Sequence, residues 1–405
     1  MRNASALAEE LADLRHRLHR EPEIGLRLPR TQEKVLSAIE DLPLEVSTGR
    51  ALSSVTGVLR GGRPGPTVLL RGDMDALPLQ EKVEGPFRSQ LDGAMHACGH
   101  DLHTAMLVGA ACLLSGRREE LSGSVVFMFQ PGEEGWDGAG AMIAEGVLQA
   151  SGELPVAAYA LHVMSSVWGR GAFVSRAGPM MAASDALRVE VLGTGGHGSA
   201  PQLARDPVPA ACEMVTALQS LLTRTIDPAE TAVVTVGTFH AGTARNVIPD
   251  RARFEATVRT FAPEVQERLA TGSLRLCRGI AAAHGLEIEA TFDNEYPLTS
   301  NSAEEVSLVA ATVADVFDDG RFSELERPVT GSEDFSRVIE RVPGAMVFLG
   351  AAPEGSDPLS APFNHSAYAS FDDSVLPDGA HLLAELARRR LGEAAETPTA
   401  RGRGA

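Results

Sequence analysis

The sequence predicts an α/β protein: a sheet with helices on both faces, interrupted by a small ferredoxin-like α+β module. Three observations carry this. Residues 67–70, 124–130 and 156–161 are continuous apolar runs, the pattern of strands buried on both faces. Amphipathic helical segments alternate with them. Between residues 184 and 296 the order becomes strand, helix, strand, strand, helix, strand, the split β-α-β-β-α-β motif of a two-layer module.

In order, residues 5–20 place Leu7, Leu11, Leu14 and Leu18 at helical spacing, and Pro22 ends that helix. His16 and His19 sit among arginines there and are expected on its solvated face. Residues 31–42 repeat the pattern after Pro29. Val46 and residues 55–59 and 67–70 read as strands bounded by Gly and Pro. The last opens into Arg71-Gly72-Asp73-Met74-Asp75-Ala76-Leu77-Pro78, with carboxylates at i and i+2. Open α/β sheets bind ligands at that edge, and the fold itself has no use for acid there.

The stretch Met95-His96-Ala97-Cys98-Gly99-His100-Asp101-Leu102-His103 follows, with a helix predicted over 104–114. On an extended segment Cys98 and His100 point the same way, and a thiolate beside an imidazole is half of a first-row metal site. Taken alone, the stretch fits a buried cysteine among surface histidines equally well. The strand at 124–130 then delivers Pro131-Gly132-Glu133-Glu134-Gly135. Adjacent carboxylates point apart, so one can ligate a cation while its neighbour handles a proton. The strand at 156–161 delivers His162 at its end. Three successive strand ends carrying metal-competent residues converge on one sheet edge, and that repetition favours a site.

In the module, strands are predicted at 187–192, 231–239, 251–260 and 286–292, with helices at 207–223 and 264–284. Gly193-Thr194-Gly195-Gly196-His197-Gly198 matches a dinucleotide fingerprint, but Pro201, Pro207 and Pro209 postpone the helix that motif requires. It reads as a Gly-rich loop presenting His197. The turn Thr243-Ala244-Arg245-Asn246-Val247-Ile248-Pro249 holds a cation and an amide. Beyond it come a helix at 303–317, an N-cap-like polar cluster opening a helix at 331–335, a strand at 346–349 and a helix at 374–391. Phe363-Asn364-His365-Ser366 adds one more loop histidine, whereas His240, His284 and His381 read as structural or surface residues. The expected domains are 1–183 with 297–394, an insertion at 184–296, and a disordered tail at 395–405.

A chain of 405 residues exceeds one ordinary domain, and 44% hydrophobic with 22% charged residues supports a large core. A net charge of −18 excludes a phosphate-backbone partner. The four cysteines, at 98, 112, 212 and 277, have no framework spacing and predict unpaired thiols in a reducing compartment. With no apolar leader and no run of membrane-spanning length, a cytoplasmic location and no membrane partner are expected.

Together these stretches resemble the co-catalytic metallopeptidase family of carboxypeptidase G and aminoacylase. Within it they are most similar to the amidohydrolase branch of hippurate hydrolase, N-acyl-amino-acid amidohydrolases and auxin-conjugate hydrolases. The likeness runs from His16-Arg17-Leu18-His19-Arg20-Glu21-Pro22-Glu23 to His365. The motifs at 71–78, 96–101 and 130–135 are jointly specific.

The resemblance implies a mixed-sheet di-metal hydrolase domain. Its two divalent ions per subunit (Zn²⁺ or Mn²⁺, with Co²⁺ or Ni²⁺ as alternatives) would be held by Cys98, His100, Glu134, His162 and His365. Glu133 matches the general base, and Asp75 the carboxylate that supports the metal centre from behind its ligands. The inserted module would be a lid and the interface of a homodimer, or of a higher oligomer. A His at the position of His197 reaches the partner's site, and an Asn at that of Asn246 binds substrate, with Arg245 a further grip on a carboxylate. Gly72 and Gly132 stand where Ala is commoner, and Ala367 follows Ser366 where Pro is frequent. None of these is a ligand.

The implied activity is hydrolysis of small-molecule N-acyl-L-amino acids, hippurate-like or related conjugates, to a carboxylate and a free amino acid. The acyl group is expected in an apolar pocket near Phe335 or Met180. Rival readings are a dipeptidase, a carboxypeptidase or a deacetylase of a biosynthetic intermediate. A non-catalytic metal-binding scaffold is another, as is a mononuclear thiolate–metal or redox protein resting on Cys98 alone.

Overall fold

The apolar runs form the centre of an eight-stranded mixed sheet in the computed structural model, which describes residues 4–318 and 320–396. Its strands are β1 (Leu44–Thr48), β2 (Val55–Arg60), β3 (Arg63–Asp73), β4 (Ser122–Gln130), β5 (Ala157–Met164), β6 (Phe173–Ser175), and the segments Phe322–Glu324 and Gly344–Gly350. They lie in the order β1-β2-β4-β3-β5, then Gly344–Gly350, β6 and Phe322–Glu324. β3, β4, β5 and Gly344–Gly350 run parallel, so their C-terminal ends share one edge. Asp73 pairs with Gln130 across that edge.

The lack of polar alternation in these runs follows from burial on both faces. Val68, Leu70, Val125, Phe127, Tyr159, Leu161 and Val163 point into one core. The helices α1 (Ala4–Arg20), α2 (Pro29–Ile39) and α3 (His100–Ser115), with Ala303–Val316 and Leu376–Glu396, contribute to the same core. Between them Leu69, Val126, Met128 and Ala160 are equally inaccessible on the opposite face. The leucine stripe of α1 is buried as its spacing predicts.

Contacts divide the chain into two units. The first runs to Met180 and takes in Ser300–Arg327 and the chain from Asp334 onward. The second is Met181–Thr299 with Pro328–Glu333. It holds an antiparallel sheet in the order Ala232–Ala241, Arg251–Thr260, Ala183–Leu192, Glu287–Tyr296. The helices Pro207–Thr225 and Pro263–Ala283 pack on it. Along Arg251–Thr260 alternate residues are buried, with Ala252, Phe254, Ala256 and Val258 inward, as one covered face requires.

Several local expectations are corrected. α3 starts at His100, not 104, and Gly99 before it has φ +88°, where a Cβ would come within 2.3 Å of Val163 Cγ2. Only glycine fits, and the chain turns there, so Cys98 and His100 do not lie on an extended segment. His19 is 3% exposed and Arg15 1%, because their charges face the buried Asp101 instead of water. The polar cluster at 331–335 caps no helix with a side chain. The helix is one turn, Ser336–Ile339, preceded by Phe335. His162 lies inside β5, two residues from its end. The last helix continues to Glu396, into the start of the expected tail, and the rest of that tail lies outside the described residues. Phe322–Glu324 and β6 went unpredicted because three residues are too short to establish a period. None of the four cysteines is joined in a disulfide among the described residues, where no helix is long and apolar enough to cross a membrane.

Candidate metal centre

At the shared edge of β3, β4 and β5, segments distant in the chain bring their side chains together. Cys98 Sγ lies 3.4 Å from His162 Nε2 and 3.2 Å from His365 Nε2. His365 Nε2 is 3.0 Å from Glu134 Oε1. Cys98, His100 and His162 form one group with ligand-capable atoms within 4.8 Å of one another, and His100, Glu133 and Glu134 form another. The five expected ligands and the expected base therefore make one linked cluster. Asp75 lies behind it, accepting the Glu133 N–H on Oδ1 at 2.9 Å and the Glu134 N–H on Oδ2 at 3.1 Å.

Local backbone chemistry aims these groups. Gly132 has φ +74°, a left-handed conformation that glycine adopts without strain, and it starts the turn that swings Glu133 and Glu134 onto Asp75. His365 has φ +70°, a conformation rare outside glycine, and its N–H is held by the Ala97 carbonyl at 2.9 Å. His162 Nδ1 is 2.9 Å from the Val163 carbonyl. A carbonyl only accepts, so Nδ1 carries the proton and the Nε2 lone pair faces the sulfur.

Charge is unevenly distributed here. Burial, then His103, holds the His162 imidazole well below its ordinary value. Burial also opposes charge on His100, but Asp73, Asp75 and Cys98 outweigh it and raise this imidazole well above the usual range. Cys98 and then Glu134 push His365 up to about 10. Protons thus gather on imidazoles that surround a thiol and carboxylates. Both ring nitrogens of the fully buried His100 have no partner at hydrogen-bond geometry among the described residues. The carboxylate oxygens nearest His100 are 3.5 and 3.6 Å away. Buried polar atoms are ordinarily satisfied. An unsatisfied imidazole beside a thiol and a carboxylate is the donor set of a divalent first-row cation, so these residues fit such an ion.

Residues to which the sequence reading gave no role support this cluster. Asp73 accepts His103 Nδ1–H at 2.6 Å and an Arg71 N–H at 2.5 Å. His103 Nε2 in turn accepts the Val163 N–H at 2.8 Å, so both its nitrogens are committed. Arg71, wholly buried, also donates to Gln130 at 2.9 Å and Asp334 at 3.0 Å. Burial would raise the Asp73 carboxyl, but Arg71, His100 and His103 hold it well below the usual range. Two signals were available: Asp73 stands two residues before Asp75, and His103 one helical turn after His100. The expected acyl pocket near Phe335 or Met180 is not supported, since both side chains are fully buried in the fold and offer no surface.

In the second unit, Gly196–His197 pairs with Val247–Ile248, His197 opposite Val247. The Gly198 N–H donates to the Asn246 carbonyl at 2.8 Å. Backbone pairing thus brings His197 to Asn246, and Arg245 precedes it in the same exposed turn. His197 Nδ1 accepts the Ser199 N–H at 3.2 Å and lies 2.8 Å from Ser199 Oγ. A backbone N–H only donates, so the proton of neutral His197 sits on Nε2.

Residues 69–389 match the family described as peptidase family M20/M25/M40. The chain is 36% identical over 384 residues to thermostable carboxypeptidase 2 of Saccharolobus solfataricus, covering 93% of this chain and 94% of that one. It is 35% identical over 385 residues to the hippurate hydrolase of Campylobacter jejuni, covering 95% and 97%. A dinuclear metal-binding peptidase of the M20 family from Bacillus subtilis superposes with a TM-score of 0.81 at 31% identity, covering 96% and 99%. The clustered donors and this likeness over nearly the whole length agree, and the chain belongs to peptidase family M20/M25/M40, as a metal-dependent hydrolase of amide bonds.

Proposed function

We propose that the protein hydrolyses N-acyl-L-amino acids, hippurate-like or related conjugates, using two divalent ions held by Cys98, His100, Glu134, His162 and His365. The observation that carries this is the placement of Glu133, 7% exposed, against His100 and Glu134 in the same cluster. Divalent ions bound there would make water nucleophilic near neutral pH and polarise the amide carbonyl. Glu133 takes the proton of the attacking water and returns it to the leaving amine, and Asp75 fixes the backbone that aims it. His197 donates from Nε2 to the developing oxyanion, reaching the site of the partner subunit in a homodimer. Asn246 and Arg245 hold the substrate carboxylate, which offsets the acidic balance of the chain. The hippurate hydrolase relative supports this substrate class, and the carboxypeptidase relative supports peptides as the second reading.

The test is a panel of N-acetyl and N-benzoyl amino acids and dipeptides, assayed with added Zn²⁺, Mn²⁺ or Co²⁺, on the parent and on Glu133→Gln. N-acyl amino acids should be turned over fastest. Glu133→Gln should lose a factor of about 10² to 10⁴ in kcat while keeping its ions. Equal turnover by Glu133→Gln refutes the mechanism, and a preference for dipeptides replaces the substrate assignment.

A further inference from the structure

We propose that Asn364 is a positioning residue of this centre: its side-chain amide fixes where Cys98, His162 and His365 meet, and thereby how tightly the centre holds an ion. The inference rests on the reading of those three residues as ligands. Asn364 is 7% exposed, and its side chain is committed to the backbone of ligand-bearing segments. Nδ2 donates to the Cys98 carbonyl at 3.2 Å and to the Val163 carbonyl at 3.0 Å. Oδ1 accepts the Ser165 N–H at 2.9 Å, and the Ser165 hydroxyl, also 2.8 Å from the Pro362 carbonyl, lies 2.9 Å from it.

The same Val163 carbonyl accepts the Nδ1–H of His162. One oxygen therefore takes both the brace and the proton that fixes the ligand ring. On the other side Nδ2 holds the carbonyl of Cys98 itself and lies 4.0 Å from its sulfur. The third ligand is the next residue along. His365 is held at φ +70°, which costs energy for a side chain of its size, and its N–H is fixed to Ala97. Residues 364 and 365 thus clamp the 97–98 segment from two sides, and a single amide ties it to β5. The task requires two donors and an acceptor on one short side chain. Asparagine supplies them, whereas aspartate has no donor.

Zn²⁺ affinity, measured by competition with a chromophoric chelator on the full chain, and the thiolate-to-Co²⁺ absorption band test this. Asn364→Asp and Asn364→Ala should weaken Zn²⁺ binding about 10- to 100-fold and shift or weaken the Co²⁺ band. Ser165→Ala, which takes one partner from Oδ1 and spares Asn364 itself, should weaken binding about three- to tenfold, and serves if the Asn364 variants do not fold. Asn301→Asp is the matched control. Asn301 is a buried amide that bonds Ser175, Arg176 and Met346, so its loss should lower the melting temperature of the ion-free protein but leave Zn²⁺ affinity at the parental level. Parental affinity and spectrum in Asn364→Asp or in Ser165→Ala overturn the proposal, as does equal weakening in Asn301→Asp. Cys98→Ser separates the two failures. If it too binds Zn²⁺ like the parent, the ligand reading is wrong, and if it alone is weakened, only the brace is wrong.

Discussion

The sulfur of Cys98 lies 3.2 Å from Nε2 of His365, 267 positions away in the chain, and that imidazole is pushed up to about 10 by the thiol and by Glu134. In the ion-free protein at neutral pH the ring therefore carries a proton where a ligand must be neutral. A cation has to displace it. Ion uptake should release at least one proton per chain, and Zn²⁺ affinity should rise about tenfold per pH unit toward pH 10. Calorimetric titration in buffers of different ionisation enthalpy measures both. His365→Ala should lower that release by about one proton per chain and weaken binding by more than the 10- to 100-fold or so that loss of an outer partner costs. Uptake without proton release contradicts this.

Asp75 accepts the backbone N–H groups of Glu133 and Glu134, one on each oxygen. Hydrogen bonds to a buried charged group contribute about 1.5–3 kcal/mol each. Asp75→Asn keeps one acceptor and turns an N–H toward the other amide. The turn at Gly132 should then relax, moving Glu133 off its line. The expected result is a kcat lowered by about 10- to 100-fold with KM changed less than about threefold. Steady-state kinetics decide it, and a parental kcat would show that Asp75 does not aim the base.

The sheet was legible because strands buried on both faces write unbroken apolar runs, and parallel strands bring their ends to one edge. The strand-end residues Asp75, Glu133, Glu134 and His162 could be read from that rule with no geometry. What lay beyond the sequence was reciprocal pairing. His19 and Arg15 look like surface charges on an amphipathic helix until Asp101, from another helix, is set against them. Asn364 carries no signal at all, since an amide in a loop is ordinary until its partners Cys98, Val163 and Ser165 are known. Cys98 and His100 were paired for the wrong reason: a left-handed glycine, not strand alternation, brings them to the site.

Ser199 fixes the tautomer of His197 through its N–H and its hydroxyl. Removing the hydroxyl leaves the weaker N–H contact, so Ser199→Ala should let the ring turn and populate both neutral tautomers. ¹⁵N spectra of histidine-labelled protein, with His197→Gln to assign the resonance, should move Nδ1 from fully unprotonated toward the mixture seen in free imidazole. The kcat should fall about three- to tenfold, and Ser199→Thr should restore both readouts. An unchanged Nδ1 resonance in Ser199→Ala removes the role of the hydroxyl.

His19 presents Nδ1 to Asp101 at 2.8 Å and Nε2 to Glu81 at 3.3 Å, so both nitrogens face carboxylates and both carry protons. Burial would lower this imidazole, but Asp101 and Glu81 outweigh it, and Arg15, to a lesser extent, opposes them, leaving the ring raised above its ordinary value. A group whose pKa is raised on folding contributes its full stability below the unfolded value, about 6.5, and loses it as pH rises through the folded value. His19→Gln should therefore destabilise most on the acid side of neutrality, by about 3–5 kcal/mol, the cost of breaking a buried charge pair. The gap from the parent should narrow steadily as the solution is made alkaline. Because Asp101 follows His100 at the start of α3, activity should fall along with stability on the acid side. Urea unfolding of both proteins across that range measures the gap, and a difference that does not change with pH would mean that His19 is neutral in the fold.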